Sequence, residues 1–294
     1  EEFLWANSVQ DPIIQEVKDC YEKRKEVPTF IHEKMINLFY QYLMIGGMPD
    51  AVQTFVKTND LAATHLAHKA IEIYYKKDIT KYASEFDRPY IVNAYDLIPS
   101  ELNSKSKRFI LSKVNKNYSL LRCENDFLWL KDAGIAIPVY NVHEPKVPLL
   151  LSKNNKLLKL FVNDVGLLCY RLLSTGIQEK ILAHDKDINF GGIFENVVAQ
   201  ELLCHGFEFN NLFYFSSKKQ GEVDFLVTYK DEVLPIEVKS GKDYKEHSAL
   251  NNLFANKEYG IHQAFIFGDC NVEVVGEKTY FPIYMVDLLR QESI

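Results

Sequence analysis

The chain has 294 residues, 47% of them apolar and 25% charged, with a net charge of −6. That length allows two or three domains with a sizeable core, and no apolar run approaches the roughly 20 residues that span a bilayer. Five scattered cysteines exclude a disulfide framework or zinc finger and point to a reducing cytoplasm; any nucleic-acid binding must come from local basic patches.

Residues 1–90 read as helical. The first ten residues, EEFLWANSVQ, have neither the basic start nor the apolar stretch of a signal peptide, and the absence of an initiator Met is expected of a fragment or a processed chain. The stretch 32–47 carries Met35, Leu38, Phe39, Tyr42 and Leu43 at helical spacing, and Gly46, Gly47 and Pro49 stop it. A second helix is expected over 60–83. It carries His65 and His68 one turn apart, which without a third ligand read as a helix face rather than a metal site.

Residues 91–170 change character. The spacing predicts a helix over 98–117 bearing Lys105, Lys107, Arg108, Lys113 and Lys116, then a helix running into a strand through Gly134, then a pair of strands over 148–164. Helices followed by a β-ribbon is the order of a winged helix, with Lys153, Lys156 and Lys159 on or beside the wing. These basic residues suit phosphate contacts, and they equally suit a solvated helix face.

Residues 171–294 alternate helix and strand. A helix over 188–206 should end near Gly206. A strand follows over 207–216, then GEVDFLVTYKDEVLPIEVKSG (221–241), then a helical stretch over 243–260. A short buried strand over 263–269 and a last strand and helix over 279–291 complete the chain.

The segment 221–241 reads as a hairpin. Lys230 and Asp231 at its tip would pair Tyr229 with Glu232, Asp224 with Glu237 and Glu222 with Lys239. All four charges then share one face, and Val223, Phe225, Val227, Leu234, Ile236 and Val238 take the other. That pattern fits an ordinary wet face. Two facing carboxylates nevertheless repel unless a cation lies between them, and a divalent ion or Lys239 could serve. The preceding helix is apolar nearly all round, so Glu195 on it is costly to bury without a partner. Glu201 is its rival on the same helix.

A semi-buried Glu, then Asp, then Glu-x-Lys resembles the signature of the PD-(D/E)XK nuclease superfamily, here Glu195, Asp224 and Glu237-Val238-Lys239, with Val223 where the usual Pro precedes the Asp. The wider chain resembles the C-terminal part of prokaryotic AAA+ ATPases that carry such a domain. The carriers are EEFL (1–4), YLMIGGMPDAV (42–52), IYYKKDITKYA (73–83) and GGIFENVVAQEL (191–202).

The resemblance implies an α/β multidomain chain. A helical, ATPase-lid-like region over 1–90 would precede a winged-helix-like domain over 91–170 and a restriction-endonuclease-like mixed sheet over 171–294. It implies Mg²⁺ or Mn²⁺ held by Asp224, Glu237, the Val238 carbonyl and Glu195, with Lys239 orienting the attacking water. Lys242 and Lys245 would join Lys105, Lys107, Arg108, Lys113 and Lys116 in holding DNA. The chain has no G-x-x-x-x-G-K-[ST] loop, so ATP is not expected to bind it, and the family's nucleotide core would precede residue 1. The implied function is a metal-dependent DNA endonuclease. The alternative is an inactive nucleic-acid-binding or protein-interaction module, with DNA, the ATPase core or another protein as partner and no membrane.

Overall fold

The computed structural model describes residues 1–114, 120–182, 190–241 and 244–291. The N-terminal part, nearly half of the chain, is helical among its described residues: α1 (Glu2–Ala6), α2 (Asp11–Lys23), α3 (Thr29–Ile45), α4 (Pro49–Thr58), α5 (Leu61–Tyr82), α6 (Arg88–Leu102), α7 (Leu111–Val114) and α8 (Leu120–Asp132). Strands β1 (Ala136–Val142) and β2 (Lys153–Val162) follow, then α9 (Val165–Leu172), α10 (Thr175–Leu182) and α11 (Gly191–Cys204). The remainder is β3 (Leu212–Ser217), β4 (Gly221–Tyr229), β5 (Glu232–Lys239), α12 (Ser248–Ala255), β6 (Ala264–Gly268), β7 (Glu273–Val275), β8 (Lys278–Pro282) and a closing 3₁₀ turn, Ile283–Leu288. Among the described residues, no helix is long and apolar enough to cross a membrane.

The eight strands make one mixed sheet in the order β2-β1-β3-β4-β5-β6-β8-β7. The β4–β5 hairpin has the expected register, Tyr229 opposite Glu232 and Phe225 opposite Ile236. Its two turn residues, Lys230 and Asp231, take φ of 52° and 63°. This is the left-handed two-residue turn that follows the twist of the strands, formed here without the glycine that usually marks it.

Two expectations are corrected. Within 91–170 the helices are followed by the antiparallel β1–β2 ribbon, whose β1 also pairs parallel with β3, so the ribbon extends the sheet of the C-terminal region. Residues 149–152 form a 3₁₀ turn, leaving one strand where two were expected. The helix over 98–117 is also interrupted. α6 ends at Leu102, and Lys105, Lys107 and Arg108 lie on the loop before α7. That loop is pinned by the Phe109 amide donating to the Leu158 carbonyl of β2 (2.9 Å), by the buried Glu195, which holds Lys107, and by the half-buried Glu222 beside Arg108. These contacts outweigh helical propensity.

The helices are tied to the sheet at Gly46–Gly47. Asp164 caps α9 by accepting from the Leu167 amide (2.9 Å), and its second oxygen accepts from the Gly47 amide (2.7 Å). Gly46 has φ +75°, and a Cβ there would fall on the Asp164 carboxylate. The GGMP stretch that stops α3 is therefore also a docking surface. α11 approaches equally closely, because a Cβ on Gly192 would lie 2.5 Å from the Leu102 carbonyl of α6.

Candidate functional site

α11 lies against the sheet with Glu195, Asn196, Val198, Ala199 and Leu202 buried. Asn196 gives its amide to both polar groups of Val162. Its Oδ1 accepts from the Val162 N–H (2.8 Å), and its Nδ2 donates to the Val162 carbonyl (2.9 Å). Gln200 accepts from the Val165 amide (3.0 Å) and donates to Tyr42 Oη (2.5 Å). These amides seat the helix and hold Glu195, 1% exposed, above β2 and β4.

The partner that faces Glu195 is Lys159. It stands on β2 between the buried Leu158 and Leu160 and is 0% exposed. Its Nζ lies 2.9 Å from Glu222 Oε1, 3.1 Å from Glu195 Oε2 and 3.7 Å from Asp224 Oδ1. The other Glu195 oxygen is held by Lys107. Arg108 reaches Ser216 Oγ at 2.5 Å and Glu222 Oε2 at 3.4 Å. Asp224 Oδ2 accepts from the Val238 amide across the hairpin (2.9 Å), and Glu237 Oε2 lies 3.3 Å from Lys239 Nζ. Four acids thus meet four cations.

The protonation states follow from that geometry. Burial pulls Lys159 and Lys107 down, but Glu195 and Asp224 outweigh it and hold both ammoniums above their ordinary value. Burial and Asp224 push Glu195 up while Lys159 and Lys107 pull it back, leaving it above the usual carboxylate range. An ammonium on each oxygen favours the charged form of Glu195 against that push. Glu237 is pushed up to about 8, first by burial and then by Asp224, against the pull of Lys239.

The sequence-derived site is therefore partly assembled. Glu195, Glu222 and Asp224 surround one ammonium, and the Asp224 charge is felt at Glu237. A resident divalent ion does not fit this arrangement. Both Glu195 oxygens carry ammoniums, one Asp224 oxygen is taken by a backbone amide, and Glu237 Oε2 faces Lys239. Among the described residues, Glu195, Asp224 and Glu237 do not bring one ligand atom each within 4.8 Å of one another.

The residues expected to hold DNA are mostly engaged elsewhere. Lys107 faces the buried Glu195, and Arg108 faces the half-buried Glu222. Lys113 lies 2.5 Å from Glu101, itself 1% exposed. Lys245 pairs with Glu273 on the surface (2.8 Å). Lys105 is exposed, and Lys116 and Lys242 lie outside the described residues. His68 is buried, with Nε2 donating to the Ile45 carbonyl (2.9 Å), and His65 Nε2 lies 2.6 Å from Gln178 Oε1. Sequence reasoning placed Lys159 on a wing and did not single out Asn196 or Gln200. The available signal was a lone lysine inside the apolar run of β2, which needs a buried acid.

Residues 36–179 match the family model described as a domain of unknown function, DUF8612. Residues 190–285 match a second domain of unknown function, DUF4143, found in AAA-ATPase-associated proteins. No curated protein and no solved structure matches the chain. The acid–lysine centre joins the two matched regions, with Lys107, Arg108 and Lys159 in the first and Glu195, Glu222, Asp224, Glu237 and Lys239 in the second.

Proposed function

We propose that the chain is a nuclease-like, non-cutting interaction module that serves an AAA+ ATPase. The carrying observation is Lys159, a fully buried ammonium among Glu195, Glu222 and Asp224. A nuclease of this type uses its acids to hold Mg²⁺ against a phosphate. Here the acids are satisfied by side chains of the same chain, and little negative charge is left over for a divalent ion.

A protein partner suits the surface better than DNA does. Lys107, Arg108, Lys113 and Lys245 are spent on acids. On α5, Leu66, Ile73 and Tyr74 are 69%, 45% and 62% exposed and repeat at helical spacing, with Tyr82 and Phe86 exposed beyond them. The ATPase core of the same family is the partner this reading favours.

A second reading, a Mg²⁺-dependent endonuclease, is favoured by the convergence of Asp224, Glu237 and Lys239 on one face. Incubation of the full chain with branched, duplex and single-stranded DNA in Mg²⁺ separates the two. The module reading expects no cleavage. Cleavage that disappears in Asp224→Asn would replace it with the nuclease.

A further inference from the structure

A second cluster lies toward the C-terminal end of α11, remote in the chain from the hairpin acids. Glu201 and His205 are one helical turn apart, and the closing 3₁₀ turn brings Asp287 to them. One ligand atom from each lies within 4.8 Å of the others. We propose that Glu201, His205 and Asp287 form a site for one divalent transition-metal ion of the zinc type.

The imidazole distinguishes this cluster from a group of surface acids. His205 Nδ1 lies 2.7 Å from the Glu201 carbonyl. A carbonyl only accepts, so Nδ1 carries the proton and a neutral ring keeps its lone pair on Nε2. That lone pair faces Asp287 Oδ1 at 3.3 Å. Either a proton or a metal ion can sit between these two atoms, and roughly 3.3 Å is the edge of a tetrahedron with ligands 2.0–2.1 Å from zinc. Glu201 supplies the third ligand. Tyr42 donates to its Oε1 at 3.1 Å, and its Oε2 lies 3.7 Å from His205 Nδ1, so this carboxylate has to swing toward the Nε2 side of the ring to bind the ion.

Outer partners on the His and the Glu are the arrangement that orients zinc ligands. The side chains of His205, Glu201 and Asp287 are 13%, 14% and 25% exposed, so solvent reaches the cluster. One nitrogen and two carboxylate ligands, with a position open, suit Zn²⁺ or Co²⁺ better than Mg²⁺. A protonated His205 bridging the two acids is the competing arrangement.

The test is stoichiometric Co²⁺ addition to the full chain, read by visible absorption, with Zn²⁺ displacement and thermal melting alongside. One Co²⁺ per chain with tetrahedral bands, displaced by Zn²⁺ and accompanied by a higher Tm, is expected. His205→Ala should abolish the bands, and Asp287→Asn, which keeps the shape of the side chain, should weaken uptake at least tenfold. Asp224→Asn should leave Co²⁺ uptake unchanged, which separates this site from the Lys159 centre. No uptake by the unmodified chain, or uptake unaltered in both His205→Ala and Asp287→Asn, overturns the proposal and leaves a protonated His205 between two acids.

Discussion

At the scale of single residues, Lys159 decides what the acid centre is. Removing one partner of a buried ion pair leaves the others unpaired, at a cost of about 3–5 kcal/mol. Lys159→Met should lower stability by about that amount in denaturant unfolding. The double variant Lys159→Met/Glu195→Gln should recover a good part of it, since it removes one of the stranded charges. Glu237 gives a pH signature. A carboxyl whose folded pKa lies above its unfolded value stabilises the fold while it keeps its proton. With a folded value of about 8, that contribution is complete below the ordinary carboxylate range and is lost as pH rises toward 8. Thermal melts of the unmodified chain should show this loss across that window, and Glu237→Gln should remove its share. A variant whose Tm falls just as steeply from pH 5 to 8 would contradict the assignment.

At the scale of elements, α11 is the part on which the centre depends. Its Asn196 side chain takes both polar groups of Val162, and leaving such buried groups unpaired costs about 1–3 kcal/mol each. Asn196→Ala should therefore destabilise the chain by at least that amount and release Glu195 from Lys159. Gly192→Ala forces α11 away from the Leu102 carbonyl, and overpacking of this kind costs about 1–3 kcal/mol. A melt unchanged in both variants would show that α11 is not held as described. The hairpin could be read from its sequence because period-two alternation fixes register once the tip is chosen, and Tyr229 does face Glu232. The buried Glu195 was equally legible, since the apolar residues around it left no wet face. The interruption of the 98–117 helix could not be read this way. Lys107 and Arg108 leave helical geometry to reach acids roughly 90 to 115 positions away in the chain, and local pattern carries no trace of such contacts. The same limit hid the partner of Lys159 and the parallel pairing of β1 with β3, both set by tertiary contact.

At the scale of the whole molecule, one sheet runs through both matched regions, and its acid–lysine centre binds them together. Reversing Lys107 and Arg108 to Glu should thus act first on the fold. Placed against Glu195 and Glu222, the new acids should lower Tm by several degrees, whereas Lys105→Glu on the exposed loop should leave it unchanged. Loss of DNA affinity in the double reversal with Tm intact would restore the phosphate-contact reading of that loop. In the proposed module, Lys159 supplies the cation that a nuclease of this type would take from solution. Calorimetric titration of the full chain with Mg²⁺, beside Asp224→Asn, measures it directly. Magnesium prefers oxygen ligands and keeps much of its water, so the Glu201–His205–Asp287 cluster should contribute little to the signal. With Lys159 in that place, neither protein should give saturable heat at millimolar Mg²⁺. A one-to-one isotherm in the unmodified chain that vanishes in Asp224→Asn would contradict it.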